Sequence, residues 1–290
     1  MSVIPRHRRR APQLAPLLFL APGLAIFGLC VIYPMVQAMR MSLYDWNILR
    51  SSRSEFIGLA NYQRALEDSQ FWLSASNSAV YMLLTVPPQI ILGLGVAMLL
   101  NRHAPARAFF RVLYYLPVVT SWVVVSLLFK YLFADKGLVN YLLGTDVAWL
   151  SGRWTGMIAI SALGVWKGIG WSMMIFLAAL QGVPTSLEDA AAVDGAGRVW
   201  SFRAVTLPAI WPALLFVVVM LIIGGFNVYT SVLLMTAGGP GGQTEVLLTY
   251  MYKSAFGNLD FGYASAQSVI LAATLFVCSV LQMRLMRRES

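Results

Sequence analysis

The sequence predicts an all-α integral membrane protein with six transmembrane helices, and three observations lead to that fold class. Of the 290 residues, 59% are hydrophobic and 11% are charged, and the mean hydropathy is +0.70. Soluble domains carry about 25% charged residues, so this composition excludes a soluble globular enzyme, a disordered chain and a secreted disulfide scaffold. Apolar runs of the length that spans a bilayer recur six times. The Lys and Arg residues fall in short clusters between these runs, which argues against nucleic acid as a partner.

The spans follow the apolar runs in chain order. We place them at residues 13–38, 74–100, 109–132, 155–180, 209–236 and 262–284. Residues 1–12 are predicted to form a basic tail, and residues 13–290 a single transmembrane domain. The first run is longer than the apolar core of a signal peptide, about 7–15 residues, so we treat it as a span and not as a cleaved leader.

The positive residues predict the orientation. Arginine clusters precede the first span and follow the second, fourth and sixth. Because an excess of Lys and Arg holds a segment on the cytoplasmic side, both termini are predicted to be cytoplasmic, in the cell (inner or plasma) membrane. On the opposite side, glycines in the loop 134–153 predict a short turn or half-helix. The run 238–242, Gly-Gly-Pro-Gly-Gly, excludes a continuous helix through the loop 237–260.

The sequence offers few residues for metal or phosphate chemistry. Cys30 and Cys278 lie in apolar runs without a CxxC pair, and His7 and His103 are the only histidines. A phosphate-binding loop of the form GxxxxGK[ST] does not occur in the sequence. We therefore predict no metal site, no catalytic residue and no ATPase activity in this chain.

The predicted cytoplasmic loop 181–208 is the most informative segment. Glu188 and Asp189 suit the first turn of a helix, because carboxylates are stabilised at helix N-termini. Three alanines continue that helix, and Gly195 ends it, because glycine adopts positive φ at little cost. A second amphipathic piece follows at 198–205. From the residues alone, two interpretations stay open: a knob that inserts into a cleft of another protein, and a helix that lies on lipid headgroups.

The same loop carries Asp189-Ala190-Ala191, then Asp194-Gly195-Ala196 after two residues, then Phe202 and Leu207-Pro208. In this spacing it resembles the EAA loop of binding-protein-dependent ABC importer permeases. Asp189 stands where the family usually has Glu, and Glu188 is its neighbour, so which carboxylate makes the family's contact stays open. The resemblance implies that an ATPase subunit is contacted by Glu188, Asp189, Ala190, Ala191, Asp194, Gly195 and Ala196.

Further motifs extend the resemblance over most of the chain. They are Leu20-Ala21-Pro22, Tyr33-Pro34, Phe56-Ile57-Gly58-Leu59, Trp166-Lys167, Leu234-Met235-Thr236 with Gly238-Gly239-Pro240, and Gly262-Tyr263-Ala264. They resemble the carbohydrate-uptake branch of the family, which includes maltose and glycerol-3-phosphate permeases. The resemblance implies the transmembrane domain of an ABC type I importer, with a cytoplasmic coupling helix in 181–208.

The resemblance also implies partners. The chain would pair with a second homologous permease, and two copies of a cytoplasmic ATPase subunit would bind ATP and Mg²⁺, so no cofactor is expected in this chain. An extracytoplasmic binding protein would deliver a sugar or oligosaccharide, with glycerol-3-phosphate or another polyol or phosphodiester as the alternative. The competing classes are a membrane-embedded enzyme and an ion-coupled carrier. The predicted spans contain neither a convergent catalytic set nor the acidic residues that a carrier uses for its coupling ion.

Polar residues within the predicted spans are candidates for the solute path, because sugars need hydrogen-bonding groups and aromatic faces. The candidates are Lys167, Asn227, Tyr229, Gln267 and Ser268. For the lysine, the alternatives are a buried structural partner or a side chain that snorkels to the interface. For the others, the alternative is ordinary hydrogen bonding between helices. Gly164 and Gly168 flank Lys167 with GxxxG spacing, which predicts close helix packing.

Overall fold

A computed structural model of the chain describes residues 14–46, 54–101 and 106–286, and helices dominate these ranges. In chain order the elements are α1 (Leu14–Phe27), α2 (Tyr33–Met41), β1 (Tyr44–Asp45), β2 (Glu55–Phe56), α3 (Ala60–Glu67), α4 (Ser69–Asn101), α5 (Arg107–Val119), α6 (Trp122–Leu132), α7 (Leu138–Leu143), α8 (Arg153–Gln181), α9 (Thr185–Val193), α10 (Arg198–Ser201), α11 (Leu207–Phe226), α12 (Thr230–Met235), α13 (Leu247–Tyr252) and α14 (Phe261–Met286). π-Helical turns continue α1 into α2 and α10 into α11. The two strands pair antiparallel, with Tyr44 opposite Phe56.

Five helical segments are long and apolar enough to cross a membrane. They are Phe19–Met41, Ser69–Asn101, Arg153–Gln181, Arg198–Phe226 and Phe261–Gln282. The bent pair α5 and α6 makes a sixth candidate when it is taken as one span. With the bent pair counted as one span, these segments match the six spans of the predicted fold class. The predicted N-terminal tail, 1–12, lies outside the described residues.

The third predicted span, 109–132, is not one helix, which corrects the sequence-based prediction. α5 ends at Val119, α6 begins at Trp122, and their axes differ by 95°. Thr120 and Ser121 between them have extended backbone, with ψ of 151° and 132°. The Thr120 hydroxyl donates to the Pro117 carbonyl oxygen at 2.6 Å, so a side chain replaces a helical hydrogen bond at the break.

The fifth predicted span, 209–236, is also interrupted. α11 ends at Phe226, and α12 is a separate short helix. The Asn227 side chain donates to the Ile223 carbonyl oxygen at 2.8 Å and so satisfies one of the unpaired carbonyls of the last turn. Tyr229 then leaves helical geometry, with φ −143° and ψ −61°.

The centre of the bundle is the long contact between α4 and α8. α11 packs on both of these helices, α5 packs on α8, and α6 packs on α12. One apolar cluster joins α4, α8 and α11 through side chains such as Ala97, Phe176 and Val217. A second joins α4, α6, α8 and α12, with Ile160 and Val232 fully buried.

A polar cluster ties the start of α4 to α13 and α14. The Asp68 carboxylate accepts hydrogen bonds from the hydroxyls of Tyr250 at 2.5 Å and Tyr263 at 2.6 Å. Arg64 lies over the Tyr263 ring at 4.1 Å and pairs with Asp260 at 2.6 Å. Residues far apart in sequence are therefore fixed at one end of the bundle.

Candidate functional site

The loop 181–208 folds as two short helices joined by a turn. α9 ends in a Schellman motif, because Gly195 has φ +76° and the Ala196 N–H donates to the Ala191 carbonyl oxygen at 2.9 Å. The break that the sequence predicts at Asp194-Gly195 is confirmed. A residue with a Cβ is strained at this φ, so glycine is the residue that permits the turn.

The loop presents apolar as well as polar side chains to its surroundings. Ala191 is buried, and α9 packs against the segment that follows it. Asp189, Ala190 and Asp194 are exposed. Large apolar side chains beside them are also uncovered, and Val193 is 88% exposed. A turn that exposes large apolar side chains has the chemistry of a docking surface.

A cavity of about 220 Å³ lies between α4, α8, α11 and the break that separates α5 from α6. It is lined by Tyr81, Thr85, Gln89, Val118, Trp122, Gly164, Lys167, Gly168, Trp171, Met220, Leu221, Gly224 and Gly225. The lining combines two indoles, a phenol and an amide, and it contains no carboxylate. Since Lys167 is the midpoint of α8, the cavity lies about halfway along that candidate span.

Two glycines of α8 make room for the polar side chains of α4. A Cβ on Gly164 would lie 3.1 Å from Cζ of Tyr81, and a Cβ on Gly168 would overlap the Gln89 amide. The GxxxG spacing therefore does bring α8 close to a neighbouring helix. The Thr85 hydroxyl donates to the Tyr81 carbonyl oxygen. Within the described residues, no hydrogen bond engages the Tyr81 hydroxyl or the Gln89 amide, so both are available to a molecule in the cavity.

Lys167 faces this cavity, but its ammonium group is already occupied. Nζ donates to the carbonyl oxygens of Pro117 and Thr120, both at 2.7 Å, and lies 3.2 Å from that of Val118. The ammonium also lies 5.0 Å from the centre of the Trp122 ring. The side chain is therefore a buried structural partner, which was one of the alternatives left open by the sequence.

A second cavity, of about 410 Å³, is lined by residues of α13, of α14 and of the connection between them, together with Tyr229, which directly precedes α12. Tyr229 packs on Tyr252 with ring centres 5.3 Å apart, and Tyr252 packs on Phe256 at 4.9 Å. Ser268 also lines this cavity, and its hydroxyl donates to the Ser265 carbonyl oxygen.

The structure thus distributes the five candidate path residues over different places. Lys167 lines the first cavity, and Tyr229 and Ser268 line the second. Gln267 is fully buried and Asn227 caps α11, and neither lines a described cavity.

Sequence reasoning missed the residues of α4 that line the first cavity. Tyr81, Thr85 and Gln89 recur at every fourth position within 79–100, a part of α4 that is otherwise apolar, and this spacing places them on one face. That spacing is a signal in the sequence that could have identified them. Trp122 and Trp171 carry no comparable signal, because aromatic residues are common in membrane spans and at their ends.

Comparison with known proteins identifies the family. The family described as binding-protein-dependent transport system inner membrane component matches residues 89–288. A probable ABC transporter permease protein of Bacillus subtilis, YurN, is 34% identical over 281 residues, covering 94% of this chain and 96% of that protein. The arabinooligosaccharides transport system permease protein AraP of Halalkalibacterium halodurans is 33% identical over 301 residues, covering 98% of this chain and 94% of that protein.

A solved structure shows the same fold. It is the crystal structure of a bacterial alginate ABC transporter in complex with an alginate pentasaccharide-bound periplasmic protein. One of its chains matches with a TM-score of 0.81 and 21% identity, over 95% of this chain and 94% of that chain. The family match and the two relatives confirm the resemblance noted in the sequence. The chain belongs to the binding-protein-dependent transport system inner membrane components, which are non-catalytic membrane permease subunits of ABC transporters.

Proposed function

We propose that this chain forms half of the path by which an ATP-driven importer moves a sugar or oligosaccharide across the cell membrane. The observation that carries the proposal is the first cavity, halfway along α8 and lined by Tyr81, Gln89, Trp122 and Trp171. Indole faces pack against sugar C–H surfaces, and phenol and amide groups bond to hydroxyls. The name of the relative AraP supports a carbohydrate.

The hydrogen bonds that the Lys167 ammonium group already makes favour a neutral solute over glycerol-3-phosphate. A phosphate group is recognised by Arg or Lys side chains with free donors. The three donors of the Lys167 ammonium face backbone carbonyl oxygens and the Thr120 hydroxyl. Among the residues that line the first cavity, Lys167 is the only cation. The lining of the first cavity therefore offers hydrogen bonds to a solute, and no free positive charge.

In the proposed complex the loop 181–208 lies in the cytoplasm together with both termini. Asp189, Gly195 and their neighbours dock on one of two ATPase subunits, which bind ATP and Mg²⁺. A second permease completes the path, and an extracytoplasmic protein delivers the solute. The exposed apolar side chains of the loop, such as Val193, favour protein docking, because a cleft in the ATPase would cover them.

Uptake assays with the complex in proteoliposomes test which class of solute is transported. We expect neutral pentose or hexose oligosaccharides to be transported and glycerol-3-phosphate to be rejected. Gln89→Leu removes the amide from the first cavity and should raise KM by about tenfold, the equivalent of one hydrogen bond of about 1.4 kcal/mol. Gln37→Leu is the matched control, because Gln37 lies on α2 and bonds to Tyr33. Equal KM values for the two variants would contradict the assignment of the cavity.

A second experiment tests the docking loop and the orientation. Gly195→Pro prevents the positive φ and should uncouple ATP hydrolysis from uptake while insertion into the membrane stays normal. Gly197→Ala is the control, because Gly197 has an ordinary φ of −67°. A single cysteine introduced by Gly195→Cys should react only with reagents applied from the cytoplasm. Wild-type coupling in Gly195→Pro would show that the ATPase docks elsewhere.

A further inference from the structure

The break between α5 and α6 leaves helix-terminal carbonyls inside a candidate span. The last carbonyls of a helix lack partners within it and carry partial negative charge. Inside a bilayer no bulk water can satisfy them, and each unsatisfied group is costly. Apart from the Thr120 backbone and hydroxyl groups that donate to the Pro117 oxygen, the break has little local compensation.

Lys167, on α8, donates hydrogen bonds to the carbonyl oxygens at the break. Its Nζ contacts the Pro117, Val118 and Thr120 carbonyl oxygens at 2.7, 3.2 and 2.7 Å. The side chain is 5% exposed, and neither salt bridge found in the described residues includes it. The positive charge is therefore balanced by the C-terminal end of α5 and by the Trp122 ring, and not by a carboxylate.

The same contacts fix the geometry of the first cavity. Trp122 is the first residue of α6 and lies at the cavity, 5.0 Å from the ammonium. α6 also packs on α12, which begins one residue after Tyr229 of the second cavity. The angle between α5 and α6 therefore determines where Trp122 lies in the wall of the first cavity and how α6 meets α12.

We propose that Lys167 is a positioning residue that holds the 95° bend between α5 and α6 and thereby orients Trp122 in the cavity. It acts on the break through its ammonium group, which takes the place of helical hydrogen-bond donors. The inference that the orientation of Trp122 affects solute transport rests on the proposed function. The inference that Lys167 holds the bend does not. A test of the bend therefore separates the two proposals.

The bend can be measured by double electron–electron resonance in the full-length chain in lipid nanodiscs. Cys30→Ser and Cys278→Ser remove the native cysteines. Spin labels at Val112→Cys on α5 and Leu128→Cys on α6 then report the distance across the break, and both positions are exposed. A second label pair at Ile91 and Ile158, on α4 and α8, reports a distance that does not cross the break.

Lys167→Met keeps the length of the side chain and removes its charge and donors. We expect the Val112–Leu128 distance distribution to shift and broaden, while the Ile91–Ile158 distribution stays unchanged. Lys130→Met is the matched control, since Lys130 is an exposed lysine of the same bent span, and it should change neither distribution. An unchanged Val112–Leu128 distribution in Lys167→Met would overturn the proposal, whatever the solute of the transporter.

Two further measurements on Lys167 variants distinguish a positioning role from direct binding of the solute. If Lys167→Met does not insert, Lys167→Gln decides the question, because glutamine is shorter and uncharged and should also broaden the Val112–Leu128 distribution. If the bend of Lys167→Met is intact but uptake of an acidic oligosaccharide is lost while that of a neutral one is kept, Lys167 binds the solute directly. That result would overturn the positioning role.

Discussion

Gly170 gives a quantitative test of how closely α5 approaches α8. A Cβ at this position would overlap the Tyr114 carbonyl oxygen and lie 2.9 Å from its carbonyl carbon and 3.1 Å from Cα of Tyr115. Non-bonded carbons prefer about 3.5–4.0 Å, so Gly170→Ala requires α5 to move away by roughly 1 Å. The atoms in the way are backbone atoms, and no side-chain rotation can relieve the overlap.

The cost follows from that displacement. Overpacking of a well-packed contact costs about 1–3 kcal/mol. A shift of roughly 1 Å would also stretch the bond of 2.7 Å between Lys167 and the Pro117 oxygen beyond hydrogen-bonding range, which costs about 1.5–3 kcal/mol for a charged donor. Alanine regains up to about 1 kcal/mol of helix propensity. With that gain subtracted in full, the net destabilisation is about 1.5–5 kcal/mol, which at roughly 2 °C per kcal/mol for a chain of this size lowers Tm by about 3–10 °C.

Thermal unfolding in detergent, followed by tryptophan fluorescence, measures this effect. Gly95→Ala is the matched control, because Gly95 lies within α4, is exposed, and has no atom within 4 Å of a Cβ position. Its Tm should equal or exceed that of the wild type. If Gly170→Ala and Gly95→Ala unfolded at the same temperature, α5 and α8 would not be in the close contact described.

Two further predictions concern the polar groups near α13. Burial raises the pKa of Asp68, but hydrogen bonds from Tyr250 and Tyr263 lower it more, so its pKa lies below 3.8. Its stabilising contribution is therefore complete well above pH 3.8 and is lost as pH falls through the folded-state value, so the fall in Tm caused by Asp68→Asn should be largest near pH 7 and should shrink steadily as pH falls below 3.8. Glu245 is buried and pairs with the half-exposed Lys253 at 2.9 Å. Lys253→Met leaves the buried Glu245 carboxylate with only the Gln70 amide, at 3.4 Å, as a side-chain donor among the described residues. The variant should cost about 1–3 kcal/mol and lower Tm more than the double variant with Glu245→Gln; equal Tm values would contradict this.

The apolar runs of the sequence predict where spans lie but not where they break. Pro87 and Pro88 stand inside α4, which continues through them, whereas the third span breaks three residues after Pro117. The presence of a proline in a span is therefore not sufficient to predict a break in the helix. The break depends on Lys167, which is 47 residues from Thr120 in sequence and reaches it only in the folded bundle. No local pattern contains that information.

The candidate residues of the solute path also show what the sequence alone does not predict. Gln267 and Ser268 are adjacent, so their side chains point about 100° apart around α14. Ser268 lines the second cavity and Gln267 is buried in the bundle. Because apolar residues lie all around α14, its sequence does not indicate which face turns inward. Asn227 differs again, since its amide is used to end α11.

The positions of Gly164 and Gly168 show how helix packing and the cavity arise from one feature. GxxxG spacing alone predicts that another helix lies close, and Tyr81 to Gln89 at spacing four alone predicts a polar face on α4. In the structure these two faces meet, and the missing side chains of the glycines are the space that the Tyr81 phenol and the Gln89 amide use. A larger residue at either glycine would drive a polar group into the cavity or force α4 away from α8. The polarity of the cavity is therefore determined by the close packing of α8 as much as by the polar residues themselves.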